Sequence, residues 1–195
     1  MHFFLLQQEY DDQKGAPEIR YEFLLGDYRE IEQWLFEGRI DCGFLSLPTQ
    51  KPFHTIALEK DEYAAVLPYD HFLTKKKALK AEDLNGQPFL LLEHGGRTEV
   101  TELLEQKGIQ ADIRFTTWDD YAILSMVESG LGISILPRLI LRRIPYRVEI
   151  RSLPEPFYRE IGLAVRSMDT ASAAVRVFLT YLKYRNCDHL IAQYK

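Results

Sequence analysis

The sequence predicts an α/β protein of two lobes, each with its own sheet, joined by two extended crossovers. Three observations carry this. A strand–helix–strand run lies within the first fifty residues, and a second such pattern spans Phe89 to Leu136. Two apolar, extended stretches, Glu62–Leu67 and Ile161–Val165, are the places where the chain can pass from lobe to lobe. The expected division is therefore residues 1–61 with 164–195 for lobe one, and 62–163 for lobe two.

The elements follow in chain order. Phe3, Leu6 and Tyr10 recur at helical spacing, which predicts a helix over 3–10 ended by Gly15-Ala16-Pro17. Phe4 and Leu5 lie off that stripe, so this helix is apolar on more than one side and predicts a partner surface. From Glu18 to Leu25, Ile19, Tyr21, Phe23 and Leu25 alternate as in a strand. Asp27 with Glu30 three residues on reads as a capping box, Ile31, Trp34 and Leu35 as the buried stripe of the helix, and Gly38 as its stop. Ile40 to Ser46 is the next strand, closed by Leu47-Pro48, and the whole unit predicts parallel strands. Further on, the strand Phe89–Leu92, the helix Thr98–Lys107, the strand Ile113–Thr116, a helix capped by Asp119 or Asp120, and the strand Ile133–Leu136 predict a second parallel sheet. The last helix, about Thr170–Tyr184, carries Val175, Phe178, Leu179 and Leu182 on one face.

Composition limits the function. With 195 residues and 46% hydrophobic residues, the chain can bury a substantial core or two small ones. The net charge of −5 argues against direct nucleic-acid binding by this chain. Cys42 and Cys187 are the only cysteines and form no ligand cluster, so neither a zinc site nor a disulfide framework is expected. His54 and His189 have no metal-ligand spacing. Lys75-Lys76-Lys77 with Lys80 reads as a solvated loop rather than a nucleic-acid surface. The apolar start breaks at Gln7-Gln8-Glu9, with no cleavage site, and no run is long enough to span a membrane, so a cytoplasmic protein is expected.

Four stretches, in order, carry a resemblance. Pro17 to Tyr28 runs into a helix ending Glu37-Gly38-Arg39-Ile40-Asp41-Cys42-Gly43-Phe44. His71-Phe72-Leu73 is followed by Ala81 to Phe89. Met126 to Pro137 contains Gly130-Leu131-Gly132-Ile133-Ser134-Ile135-Leu136-Pro137. Ile161 to Val165 precedes the closing helix. Together they resemble the effector-binding domain of LysR-type transcriptional regulators. The resemblance implies two Rossmann-like lobes of the type 2 periplasmic-binding-protein kind. It also implies an effector held between the lobes at the carboxyl ends of their strands, and a homodimer. The surfaces expected to pair are the helices 3–10 and 121–128. Phe72 departs from the family's usual proline. The sequence opens at or within the family's first domain helix, so the DNA-reading head and the first strand of lobe one are expected to be missing. That strand would lie between Glu18–Leu25 and Ile40–Ser46, which are therefore not expected to pair with each other.

On this frame the candidate effector contacts are Gly26, Asp27, Tyr28, Ser46, Leu47, Pro48, His94, Gly95, Thr117 and Trp118. Ser46 and Thr117 offer hydroxyls, His94 an imidazole, and Tyr28 and Trp118 apolar walls. Helix starts after Asp27, Gly96 and Trp118 offer backbone N–H groups to an anion. Asp27 reads first as a helix cap, and Ser46 and Thr117 have turn and cap readings beside the ligand one. Arg29 and Arg97 could reach an anionic effector but read first as solvated. No nucleophile pair, metal set or phosphate loop supports an enzyme, and no cofactor is expected. The alternative to a sensor is a free-standing solute-binding protein serving a transporter.

Overall fold

The computed structural model describes residues 5–11, 16–76, 79–93, 98–180 and 182, with residues 5–11 and 16–21 described by their backbone path. They fall in two compact units, one drawn from Met1–Glu59 and Glu160–Lys195, the other from Lys60–Arg159.

In the first unit, β1 (Leu5–Asp11) and β2 (Ala16–Glu22) form an antiparallel two-stranded sheet, with Leu5 opposite Glu22 and Asp11 opposite Ala16. This corrects the helix expected over 3–10 and, with it, the dimer surface assigned to that helix. The reason lies in the spacing: Leu6 and Tyr10, four apart, share a face in a helix and in a strand alike. Helix α1 (Tyr28–Glu37) forms where expected. The Glu30 N–H donates to Asp27 Oδ1 and the Asp27 N–H donates to Glu30 Oε2, each at 2.8 Å. Ile31 and Leu35 are fully buried on its inner face.

Strand β3 (Cys42–Leu47) pairs antiparallel with β9 (Tyr158–Val165), from Cys42 opposite Val165 to Leu47 opposite Glu160. β2 and β3 thus do not pair with each other, as expected, but they lie in different sheets, so the one parallel sheet expected to hold both Glu18–Leu25 and Ile40–Ser46 does not form. Periodicity marks a strand but not its partner, and here β3 pairs with a segment more than one hundred residues away. Strand β4 (His54–Pro68) neighbours β9 and runs from the first unit into the second. A helix over 173–180 buries Ala174, Val175 and Leu179 with Cys42, Leu163 and Val165.

In the second unit, β4 pairs antiparallel with both β7 (Ser134–Pro137) and β8 (Val148–Ser152). Strands β5 (Pro88–Leu92) and β6 (Asp112–Thr117) are parallel, as expected. β5 joins β7 through a parallel bridge, Phe89 opposite Ile133. Strand alternation sorts the core into two layers. Tyr63, Ala65, Leu67, Phe89, Leu91 and Ile135 pack with α2 (Glu99–Gln106). Ala64, Val66, Leu90 and Leu136 pack with Ile123, Leu124 and Val127 of α3 (Asp120–Glu128). A sheet covered on both faces explains why its strands read as unbroken apolar runs. The short helix α4 (Arg138–Leu141) follows β7.

The two glycines of Gly130-Leu131-Gly132 serve different ends. Gly130 takes φ 75° just past α3. A Cβ on Gly132 would lie 2.5 Å from the Pro88 carbonyl oxygen, so any side chain would part β5 from β7.

A buried clasp ties the two crossover strands within this unit. The Arg159 Nε and Nη2 donate to Asp61 Oδ2 at 3.0 and 2.9 Å, and the Leu139 N–H donates to Asp61 Oδ1 at 2.9 Å. The Tyr63 N–H donates to the Phe157 carbonyl at 2.8 Å. No helix among the described residues is long and apolar enough to cross a membrane.

Candidate functional site

Because β5 and β6 are parallel, their carboxyl ends emerge together. Leu92 stands opposite Thr117, and the Glu93 N–H donates to the Thr117 carbonyl at 2.9 Å. Each strand then leads towards a capped helix, α2 after residues 94–97 and α3 after Trp118. Thr117 is half-buried and its Oγ1 accepts the Asp119 N–H at 3.3 Å, so the hydroxyl hydrogen remains free to turn towards a ligand. Trp118 is 67% exposed, a large apolar surface at the mouth of this end. His94 and Gly95 lie outside the described residues.

In the first unit, Gly26, Asp27 and Tyr28 each have a structural role at the start of α1. A Cβ on Gly26 would come within 2.5 Å of the Trp34 ring, so glycine lets the indole lie over the backbone there. Asp27 is spent in the capping box, and Tyr28 packs half-buried beside Ile31 and Leu35. Ser46 and Leu47 are half-buried at the end of β3, and Pro48 is exposed after a cis Leu47–Pro48 peptide bond.

The helix starts are not equivalent as anion receivers. Asp119 Oδ1 accepts the N–H groups of Tyr121 and Ala122 at 2.9 and 3.2 Å, as Asp27 accepts that of Glu30. Both helix starts therefore carry a carboxylate that opposes a second anion. Helix α2 is capped without a carboxylate, Thr98 and Thr101 exchanging backbone-to-hydroxyl bonds, but Glu99 and Glu102 stand in its first turn and oppose an anion there as well.

One residue that sequence reasoning passed over fixes the first unit's candidate loop. Glu32, 7% exposed, accepts the Gln50 N–H at 2.9 Å on Oε1 and the Lys51 N–H at 3.1 Å on Oε2. The loop that follows Ser46-Leu47-Pro48 is thus fastened to α1. The signal was present: a carboxylate between Ile31 and Leu35, inside the apolar stripe, needs buried donors. Burial, reinforced by Asp41, pushes the Cys42 thiol up to about 12, far from any nucleophile. Among the described residues no group of three or more His, Cys, Asp or Glu side chains could hold a metal ion.

Comparison with known proteins gives this geometry its context. The family described as LysR substrate binding domain matches residues 13–186. The uncharacterized HTH-type transcriptional regulator YvbU of Bacillus subtilis is 31% identical over 169 residues, covering 86% of this chain and 58% of the relative. The chain thus spans little more than half the length of that regulator. Among solved structures, the Synechocystis PCC6803 CcmR regulatory domain in complex with 2-PG matches with a TM-score of 0.73 at 22% identity, over 80% of this chain and 78% of that one. The effector binding domain of QuiR in complex with shikimate matches with a TM-score of 0.72 at 24% identity, over 84% and 80%. These structures share the two-lobed, type 2 periplasmic-binding-protein-like α/β fold, and the family is one of transcriptional regulators rather than enzymes. By the match over residues 13–186 and by its identity to YvbU, the chain belongs to the LysR substrate binding domain family.

Proposed function

We propose that the chain is the effector-sensing part of a cytoplasmic transcriptional regulator, in which binding of a small anionic metabolite controls transcription. The observation that carries the reading is the paired carboxyl end of β5 and β6, where Leu92 stands opposite Thr117, the Glu93 N–H donates to the Thr117 carbonyl, and the exposed Trp118 follows. Ser46, Leu47 and Pro48, just ahead of the loop that Glu32 fastens at Gln50 and Lys51, are the contacts proposed from the first unit. CcmR was solved with 2-PG and QuiR with shikimate, a carboxylate, which favours an anion here too. His94 and Gly95 belong to the same proposed site. The net charge of −5 supports sensing without direct DNA contact by this part.

Dimerisation is typical of the family, and we place a homodimer surface on α3, where Tyr121 is exposed, with the neighbouring edge strand β6 exposing Ile113 and Phe115.

A thermal-shift screen of metabolites tests the site. Ligand at 100 times its dissociation constant stabilises by about 2.7 kcal/mol, a shift on the order of 5–10 °C for a chain of this size. Ser46→Ala, Thr117→Ala and His94→Ala should each reduce the shift of an authentic hit. A hit whose shift survives all three, tested singly, places the pocket elsewhere.

A further inference from the structure

The first unit carries a second concavity, away from the strand ends discussed above. It lies between the start of β4 and the 173–180 helix, has a volume of about 240 Å³, and is lined by His54, Ile56, Met168, Arg176, Leu179 and Thr180. We propose that this groove is a binding site for a small amphiphilic carboxylate, distinct from the effector site.

The chemistry of the lining divides in two. Ile56, Met168 and the buried Leu179 make an apolar floor, and a thioether beside aliphatic carbons suits an aromatic ring. Arg176, Thr180 and His54 stand at the exposed rim. The Arg176 guanidinium is held rather than loose: Nε donates to the Ala171 carbonyl at 3.2 Å, and Nη2 to the Met168 carbonyl at 2.5 Å. A fork fixed on one edge keeps its other edge in a set direction, which lowers the ordering cost of receiving a carboxylate. Thr180, one turn along the same helix face, donates its hydroxyl to the Arg176 carbonyl at 3.0 Å, so it bounds the groove and leaves the carboxylate to the Arg176 guanidinium. The volume falls just below the range of about 300–1,000 Å³ usual for drug-sized ligands, so the occupant is small.

The test uses the whole chain and 4-fluorophenylacetate as probe, read by ¹⁹F line shape and by amide shifts. Saturable binding near about 1 mM is expected, with the shifted amides at His54, Ile56, Leu179 and Thr180. Acetate and inorganic phosphate, which lack the ring, should bind at least about tenfold more weakly. Thr180→Arg fills the groove from an exposed position, so it should abolish binding without moving the melting temperature; Arg176→Gln should weaken binding about tenfold. Ser46→Ala and Thr117→Ala should leave probe binding unchanged, which separates this site from the effector site. Amide shifts confined to the ends of β3 and β6, an unchanged affinity in Thr180→Arg, or equal responses to acetate would each overturn the proposal.

Discussion

The two units hold their folds by different means. The second is one continuous stretch of chain, with its sheet covered on both faces and its crossover strands locked by a buried ion pair. The first is assembled from two distant stretches, and its β3 depends on a partner contributed by the far end of the chain. The lesson is that contiguous structure lets local sequence signals speak for themselves, whereas an assembled unit is decided by pairings no local window contains.

Three measurements would sharpen or break this contrast. The largest effect is expected from Asp61→Ala. It takes from the Arg159 guanidinium, whose side chain is 10% exposed, the buried carboxylate that its Nε and Nη2 meet, and it frees the Leu139 N–H. Removing one partner of a buried pair costs about 3–5 kcal/mol, so the denaturant midpoint should fall steeply. A loss under 1 kcal/mol, on the order of an exposed pair, would mean the clasp does not support the second unit.

Next come Gly132→Ala and Gly26→Ala, one from each unit. At Gly132 the new methyl meets the Pro88 backbone, which cannot yield without parting two strands. At Gly26 it meets the Trp34 ring, a side chain that can turn aside. Overpacking of the first kind costs about 1–3 kcal/mol, and Gly26→Ala should cost less. Chemical denaturation of both variants decides the order, and a reversed order contradicts the rigid β5–β7 contact.

The smallest effect concerns pH. His71 Nδ1 accepts the Leu73 N–H at 3.4 Å at the start of the 3₁₀ turn Phe72–Lys75. Burial lowers the His71 pKa below 6.5, against the opposing pull of Asp70. The folded state thus favours the neutral ring. Its contribution is whole above the unfolded pKa of 6.5 and is lost as pH falls from there through the lower folded value. Stability should therefore decline modestly between pH 7.5 and 5.5 in the native chain and less in His71→Gln. Equal slopes would remove His71 from the account.

What the sequence disclosed follows the same line. The starts of α1, α2 and α3 were legible because Asp27, Thr98 and Asp119 act on N–H groups within three residues. The strand ends at Ser46 and Thr117 were legible as positions too, since strand and turn signals are local. β1 was not, because seven residues fit both periods. β8 was passed over although Val148 and Ile150 alternate with Glu149 and Arg151 as in a strand; in the fold the Arg151 guanidinium pairs with the Glu149 carboxylate at 2.7 Å. The need of Glu32 for buried donors was legible from its place in the stripe, but not which donors meet it, since they lie eighteen and nineteen residues further on.

The clasp of Asp61 and Arg159 also has a consequence for how such a chain could arise and be rearranged. It joins the strand by which the chain comes into Lys60–Arg159 to the strand by which it leaves, so the two termini of that segment are held side by side. A segment whose ends meet behaves as a cassette: it can be gained or lost by a host without opening the host's own termini. The host's remaining requirement is a short bridge from Glu59 to Glu160, spanning the gap between neighbouring strands, about 5 Å. The lock that stiffens the second unit also holds its two ends together.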